Sequence, residues 1–397
     1  MNFEKSPRRH EKNSGSSGTP SIRRAKLRPG IEFLESRTVL AITSAVAAGV
    51  LTVSSSFDDS IVISASAGNV EVDGVDPGTG TAAASSITAI DITGGPGGSV
   101  VDLREVTPTD FTALTTISAT SGGGVAQFYP NISIPGTYDG QDTDSTVEFD
   151  GTATDVTFDD PSSAIDIDGT SIRVPGNEGT ILDNLQAASF TFNVAPGDDE
   201  VISDDGTTND GISLATNVTT GEQVAFQNPT DSLTFADAVA AGGDTLEFDG
   251  LDDVGTPATI TLDAGGAADN LIFGGTATDV VEDLGASTVS LDGVVVTIAD
   301  VGISAVAINT TSTNLTIEPA AGDDLVLEDN RAAGDGISRA LDVTTGLATD
   351  FVSPTNSLTV LDTGSGGSTF EFDGLDATGR PATISLDAGG NADTLIF

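Results

Sequence analysis

Pro257-Ala258-Thr259-Ile260-Thr261-Leu262-Asp263-Ala264-Gly265-Gly266 returns as Pro381 to Gly390, with Ser385 in place of Thr261, at an offset of 124 residues. Gly151-Thr152-Ala153-Thr154-Asp155-Val156 returns as Gly275 to Val280 at the same offset. Gly197-Asp198-Asp199 and Asp210-Gly211-Ile212-Ser213 return 125 residues later, as Gly322-Asp323-Asp324 and Asp335-Gly336-Ile337-Ser338. Val218-Thr219-Thr220-Gly221 returns as Val343 to Gly346. Four ordered matches with a one-residue slip define a long-period repeat, and such self-similarity has to be read before local structure. A fainter copy precedes them: Glu148-Phe149-Asp150-Gly151 parallels Glu247-Phe248-Asp249-Gly250. The repeat units are 57–150 (degenerate), 151–274 and 275–397.

Within a unit the apolar runs are short. Ala258–Leu262, Asn270–Phe273, Thr288–Leu291, Val294–Ile298 and Asn314–Ile317 are each β-rich and partly alternating. Alternation puts Leu, Ile, Val and Phe on one face and Thr, Ser and Asp on the other. Asp-Gly, Gly-Gly and Gly-Asp-Asp segments between the runs are turn chemistry. Val280–Gly285 and Ala236–Ala241 are too short for helices, and Gly and Thr recur too often for a long one. The expected fold is therefore all-β: a parallel β-helix, or β-solenoid, of short strands behind a disordered basic N-terminal tail. Tandem β-sandwich domains are the alternative, which the absence of Trp and a Tyr count of two weaken. The last unit stops on an apolar, strand-like Phe397 with no polar cap, so a fragment of a longer repeat protein is one expectation.

Composition narrows the chemistry. The chain has 397 residues, 60 acids, 14 bases, 47 Gly, one His and no Cys. Disulfides, Cys nucleophiles and thiolate metal sites are excluded. The single His10 falls in the tail, which removes Ser-His-Asp, Cys-His and His-zinc arrangements. Nine of the 14 bases and only four of the 60 acids lie in the first forty residues, so the rest carries 56 acids against Arg104, Arg173, Arg331, Arg339 and Arg380. A field of that sign repels nucleic acid and anionic lipid and attracts cations. No glycine loop leads into a helix, so nucleotide binding has no motif. A carboxylate pair suffices for glycoside hydrolysis, but sixty acids single out none.

The acids cluster at turns, where they are candidate calcium ligands. Asp198 and Asp199 stand near Asp204 and Asp205; Asp323 and Asp324 stand near Asp329. Gly265 to Phe273 and Gly389 to Phe397 have the outline of the calcium-binding nonapeptide, with Asp269 and Asp393 at the ligand position, but neither is in tandem with another copy. Solvated turn residues are the plain alternative for all nine.

The N-terminus divides into a basic tail with an export motif (1–38) and an apolar, signal-like segment (39–56). Val39 to Val53 is uncharged, follows a basic flank, and is short of the ~20 residues a membrane span needs. The run Leu34-Glu35-Ser36-Arg37-Thr38-Val39-Leu40, after Arg23, Arg24 and Arg28, resembles the LEPRxLL-type motif of large secreted or surface repeat proteins of planctomycetes. Leu34, Glu35, Arg37 and Leu40 carry the match; Ser36 and Val39 depart from it. The resemblance implies export and an extracellular or cell-surface location, and no chemistry. The expected function is accordingly a non-enzymatic structural or adhesive repeat protein, with a cell-surface polysaccharide or another surface protein as partner. A calcium-binding β-roll-like module and a carbohydrate-active β-helix enzyme are the alternatives. No nucleic acid partner and no stable membrane span are expected.

Overall fold

The computed structural model describes residues 42–142, 144–175, 180–237, 243–263, 270–299, 305–332, 334–364, 367–387 and 394–397. The basic tail, the motif residues Leu34, Glu35, Arg37 and Leu40, and the nonapeptide acids Asp269 and Asp393 lie outside them. Among the described residues the chain is all strand and turn, apart from two single 3-10 turns at Ala84–Ser86 and Asp160–Ser162. No helix there is long and apolar enough to cross a membrane.

The strands form an all-β solenoid-like stack with two faces over one core. On one face Val50–Ser54, Ala89–Thr93, Thr116–Thr120 and Gly136–Asp139 pair in parallel. On the other Asp59–Ser66, Ser99–Asp102, Ala126–Tyr129 and the start of Thr146–Asp159 do the same. Thr146–Asp159 and Thr180–Val194 are long enough to run from one face to the other, and they pair in parallel along almost their whole length. The apolar stretch near the N-terminus belongs to this stack: Thr43–Ala47 and Val50–Ser54 form a hairpin, and Leu51 and Val53 are fully buried.

From residue 146 onward the stack contains a feature absent from the sequence expectation. The second half of Thr146–Asp159 folds back through Ala164–Ile167 to Thr170–Arg173, two antiparallel steps, before that last strand meets Gly136–Asp139 in parallel. The chain thus jumps three strand positions ahead and returns two. The next fold-back, Glu200–Asp204, Ile212–Asn217 and Gln223–Gln227, occurs on the opposite face. Thr276–Asp283, Thr288–Leu291 and Val294–Ile298 repeat the first. Leu325–Asp329, Ile337–Asp342 and Ala348–Val352 repeat the second.

Each fold-back adds two more strands to one face than to the other. Two sheets over a shared core must stay equal in height, because an overhanging strand would expose its apolar side to water. A fold-back on one face therefore demands one on the other, and the pair occupies the long sequence period. The units are not separate sandwiches. Asn270–Phe273 continues in parallel into Ala305–Ile308, and Thr259–Asp263 into Val294–Ile298, so the ladder crosses the boundary between units unbroken.

Local chemistry sets the returns. Asp168-Gly169 and Asp292-Gly293 occupy the equivalent hairpin turns, with φ of 49° and 85°, and 49° and 91°. Both central residues of such a turn need positive φ, which Asp tolerates and Gly prefers. Each Asp also clamps the turn: Asp168 Oδ1 accepts the N–H groups of Thr154 and Asp155, and Asp292 Oδ1 accepts those of Thr278 and Asp279.

The core of the second unit is aromatic. Phe158, Phe192 and Phe235 are successive partners on one face, with ring centroids 4.7 and 5.4 Å apart. Phe226 of the opposite face lies 5.0 Å from Phe190 and 6.3 Å from Phe235, which joins the two sheets. Leu262 continues the row at 0% exposure. Truncating Phe192 to Ala leaves a void against the Phe158 and Phe235 rings, and urea denaturation of the variant is expected to show a loss of about 3–5 kcal/mol.

The second and third units also compare as covered and uncovered versions of one edge. Ile260, Leu271 and Phe273 are 1%, 0% and 0% exposed beneath the strands of the third unit, whereas their counterparts Ile384, Leu395 and Phe397 are 38%, 43% and 85% exposed. With Phe372 and Leu386 these counterparts line an open apolar cavity of about 280 Å³. Appending a full copy of residues 275–397 after Phe397, which carries both fold-backs and leaves the two faces level, is expected to cover this edge and raise the thermal midpoint. An unchanged or lowered midpoint would show that the pairing seen between the units does not extend.

Candidate functional site

The alternation that buries Phe158, Phe192, Phe235 and Leu262 turns the preceding residue of each strand outward. Those residues are Thr157, Thr191, Thr234 and Thr261, directly paired from strand to strand. Thr297 and Thr288 continue the row through the next fold-back. Six threonines at the strand spacing of ~4.8 Å make a line about 24 Å long. Asp166 and Asp283 bound it. A second row runs beside it, about 7 Å along the strands. It starts at Asp155 and continues through Ser189, Ser232, Thr259, Val295, Ser290, Val281, Thr316, Thr359 and Ser385 without a charge. The opposite face differs. One of its outer rows reads Glu247, Ile272, Ala307, Asp350, Arg339, Glu328. In a chain this acidic, the two rows make an uncharged strip, flanked on the far side of the threonines by the outward row Asp159, Asn193, Ala236 and Asp263.

The candidate calcium ligands are placed as turn clamps. Asp198 and Asp199 precede Glu200–Asp204 and Asp205 follows it, so a five-residue strand holds Asp199 and Asp204 ~16 Å apart. Leu325–Asp329 separates Asp324 from Asp329 in the same way. Asp199 Oδ1 accepts the N–H of Thr245 at 2.9 Å, and Asp324 Oδ1 that of Thr369 at 2.8 Å. Asp204, Asp205 and Asp329 accept the N–H groups of Gly206, Thr207 and Arg331 in their own turns. Asp198 accepts from the Asn217 amide at 2.9 Å. Burial and the neighbouring Asp342 push the Asp323 carboxyl up. Among the described residues no three His, Cys, Asp or Glu side chains already stand as a metal-ligand set.

Two acids not singled out by the sequence reading each brace their own unit from within. Asp252 is 1% exposed and accepts N–H groups from Asn209 at 2.6 Å, Val254 at 2.8 Å and Gly211 at 3.0 Å. Its own N–H donates to Ser213 Oγ, which in turn donates to Asn228 Oδ1. Asp376 repeats the arrangement with Thr378, Gly334, Gly336 and Ser338. Burial works to raise the Asp252 carboxyl, but its backbone donors outweigh it; the donors from Thr378 and Gly334 dominate at Asp376, and both carboxyls lie below the usual range. The signal was present in the sequence as Glu247-Phe-Asp-Gly-Leu-Asp252 repeated at Glu371 to Asp376.

Two buried glutamates have no such signal, because their repeat counterparts are apolar. Glu282 stands where the second unit has Phe158, at 2% exposure, with Thr349 Oγ1 donating to it at 2.6 Å. Burial pushes it up to about 7, against the smaller opposing effect of the Thr349 hydroxyl. Glu200 is fully buried, and burial together with Asp160, Glu222 and Asp198 pushes it up to about 9. The arginines are engaged elsewhere: Arg104 with Asp102 and Asp150 at 2.8 Å each, and Arg339 with Asp350 at 2.6 Å.

Comparison with family models, curated proteins and solved structures yields no match.

The buried acids give stability a definite pH dependence. A folded-state carboxyl raised above its unfolded value of ~4.5 favours the protonated form, so its contribution is complete below that pH and is lost as pH rises. For Glu282 the loss is about 3 kcal/mol on rising through about 7. Asp252 and Asp376 act oppositely, contributing above the usual carboxylate range and losing that contribution as pH falls below it. Thermal melts are therefore expected to peak between pH 4 and 6. The variant Glu282→Gln should flatten the decline between pH 5 and 8, and an unchanged slope would show that Glu282 is not its source.

Proposed function

We propose that this chain is a non-enzymatic, extracellular structural or adhesive repeat protein whose hydroxyl face contacts a cell-surface polysaccharide. The threonine row from Thr157 to Thr288 carries this reading. A hydroxyl both donates and accepts hydrogen bonds. A regular, uncharged row of them matches the chemistry of a neutral glycan chain, whose own hydroxyls do the same. Each contact is weak, and a long row makes many at once, so binding grows by effective concentration. The surrounding acidity keeps the molecule soluble and turns away nucleic acid.

Export rests on the resemblance of Leu34 to Leu40 to the planctomycete motif. Because Leu51 and Val53 are core residues of the first coil, cleavage of a leader falls ahead of Thr43 in this reading. A carbohydrate-active enzyme draws less support, since Arg104 and Arg339 are tied to carboxylates instead of facing an open groove.

The test is retention of the full chain on particulate cellulose and chitin. The triple variant Thr191→Lys, Thr234→Lys, Thr261→Lys breaks the row without touching the core. Retention of the unaltered protein on at least one support, with a tenfold or greater loss in the variant and an unchanged far-ultraviolet circular dichroism spectrum, is the expected result. Equal retention of both proteins, or none on either support, rejects the hydroxyl face as the contact surface.

A further inference from the structure

The second and third units correspond residue for residue at one corner of the fold, and there their chemistry parts. Asp160, Glu200 and Glu222 of the second unit stand where the third has Leu284, Leu325 and Leu347. The correspondence is structural as well. Glu200 and Leu325 each open the first strand of a fold-back and pair with Asn217 and Asp342. Glu222 and Leu347 each accept the N–H of that partner through their carbonyl. In the third unit these three positions are apolar, beside a buried Asp342: Leu325 is 1% exposed and Leu284 packs against the core. Three positions dispersed in sequence have changed type together.

The acid version of the corner is unusual in its bonding. Glu200 is fully buried, and neither of its carboxyl oxygens has a hydrogen-bond partner. The charged groups acting on it are Asp160, Glu222 and Asp198, all acids. Asp160 is 8% exposed, accepts the Ala195 N–H at 3.3 Å, and is hydrogen-bonded to Glu222. The Asn217 amide donates to Asp160 Oδ2 at 3.0 Å and to Asp198 Oδ2 at 2.9 Å, so one neutral group draws both carboxylates toward it. Its counterpart in the third unit, Asp342, has no such donor to offer. A buried carboxyl facing three others is costly unless a positive charge joins them.

We propose that Asp160, Asp198, Glu200 and Glu222 bind one calcium ion in the second unit, a site that the third unit lacks because leucines replace three of the four ligands. Calcium takes six to eight oxygens from carboxylates in flexible geometry, and four carboxylates supply up to eight. The ligands come from three separate turns and a strand, so the ion would cross-link the fold-back to the coil before it. The acids do not yet share one point. Like charges stand apart, and a doubly charged ion removes the repulsion that separates them. This site takes Asp198 and Glu200 from an acid run visible in the sequence and joins to them the distant Asp160 and Glu222, and it is independent of the polysaccharide reading.

Isothermal titration of the full chain with calcium chloride, after chelation and at pH 7.5 in 0.1 M salt, tests the proposal alongside thermal melts. Two variants accompany it. One is Asp160→Leu with Glu200→Leu and Glu222→Leu, which installs the residues of the third unit; the other is Glu200→Gln, which keeps the volume. The expected result is one saturable site and a calcium-dependent rise in melting temperature, with at least tenfold weaker binding in Glu200→Gln and in the triple variant if it folds. A signal unchanged in Glu200→Gln would assign calcium to diffuse screening of the acidic surface and overturn the site. Absence of any saturable binding to the unaltered chain would also overturn it, leaving the corner to be neutralised by protons alone.

Discussion

Backbone hydrogen bonding between neighbouring strands, carried without a break across two faces of equal height, is the constraint on which the rest depends. Each strand needs a partner on both sides, and each inward side chain needs cover from the opposite sheet. A plain coil adds one strand to each face and satisfies both needs automatically. A fold-back adds an excess to one face and violates the second need until an opposite fold-back follows. The chain from Gly151 onward solves this by alternating: one face at Thr146–Asp159, the other at Glu200–Gln227, and then both again in the next unit. The sequence period is thus long because a piece that contains a fold-back leaves the two faces level only when it also contains the opposite one.

That geometry also decides what the surface can be. Parallel stacking in strict register places like residues on top of one another, so a preference for Thr before a core residue becomes a continuous row. The rows survive the fold-backs because antiparallel partners still face the same side. The turns, by contrast, fall at the edges, where Asp accepts backbone N–H groups and fixes the loop. Most of these acids act in this way, which is why an acid-rich chain can still leave a row of six threonines without a charge among them.

The two complete units share a backbone and differ in filling. Phenylalanine stacks the second unit; the third keeps Phe351 and Phe370 in its core but has Ile317 and Val360 where the second has Phe192 and Phe235, and admits Glu282 at the position of Phe158. The reverse exchange occurs at the corner, where Glu200 replaces the apolar Leu325. Repetition supplies a scaffold that tolerates such exchanges, since the ladder itself contributes much of the pairing in every unit. Individual units are then free to acquire chemistry that their copies lack.

Strands, turns and the long repeat were legible in the amino-acid order because they depend on neighbours: alternation, β-branching, and Asp-Gly at the returns. The inward place of Leu262 and the outward place of Thr261 followed from the same alternation. The fold-backs were not legible, since a short apolar strand looks the same whether its partner is parallel or antiparallel. Acid runs such as Asp198-Asp199 and Asp204-Asp205 looked like one cluster, yet the extended strand between them holds the pairs apart. The corner of Asp160, Glu200 and Glu222 was invisible for the opposite reason, its members being distant along the chain and joined only by stacking. Sequence by itself determined that the chain would be a repetitive β-stack with acidic turns, because those outcomes are local. Which carboxylates meet, and which hydroxyls line up in an uncharged row, was decided only when the coils were laid on one another, because both are properties of registration between segments.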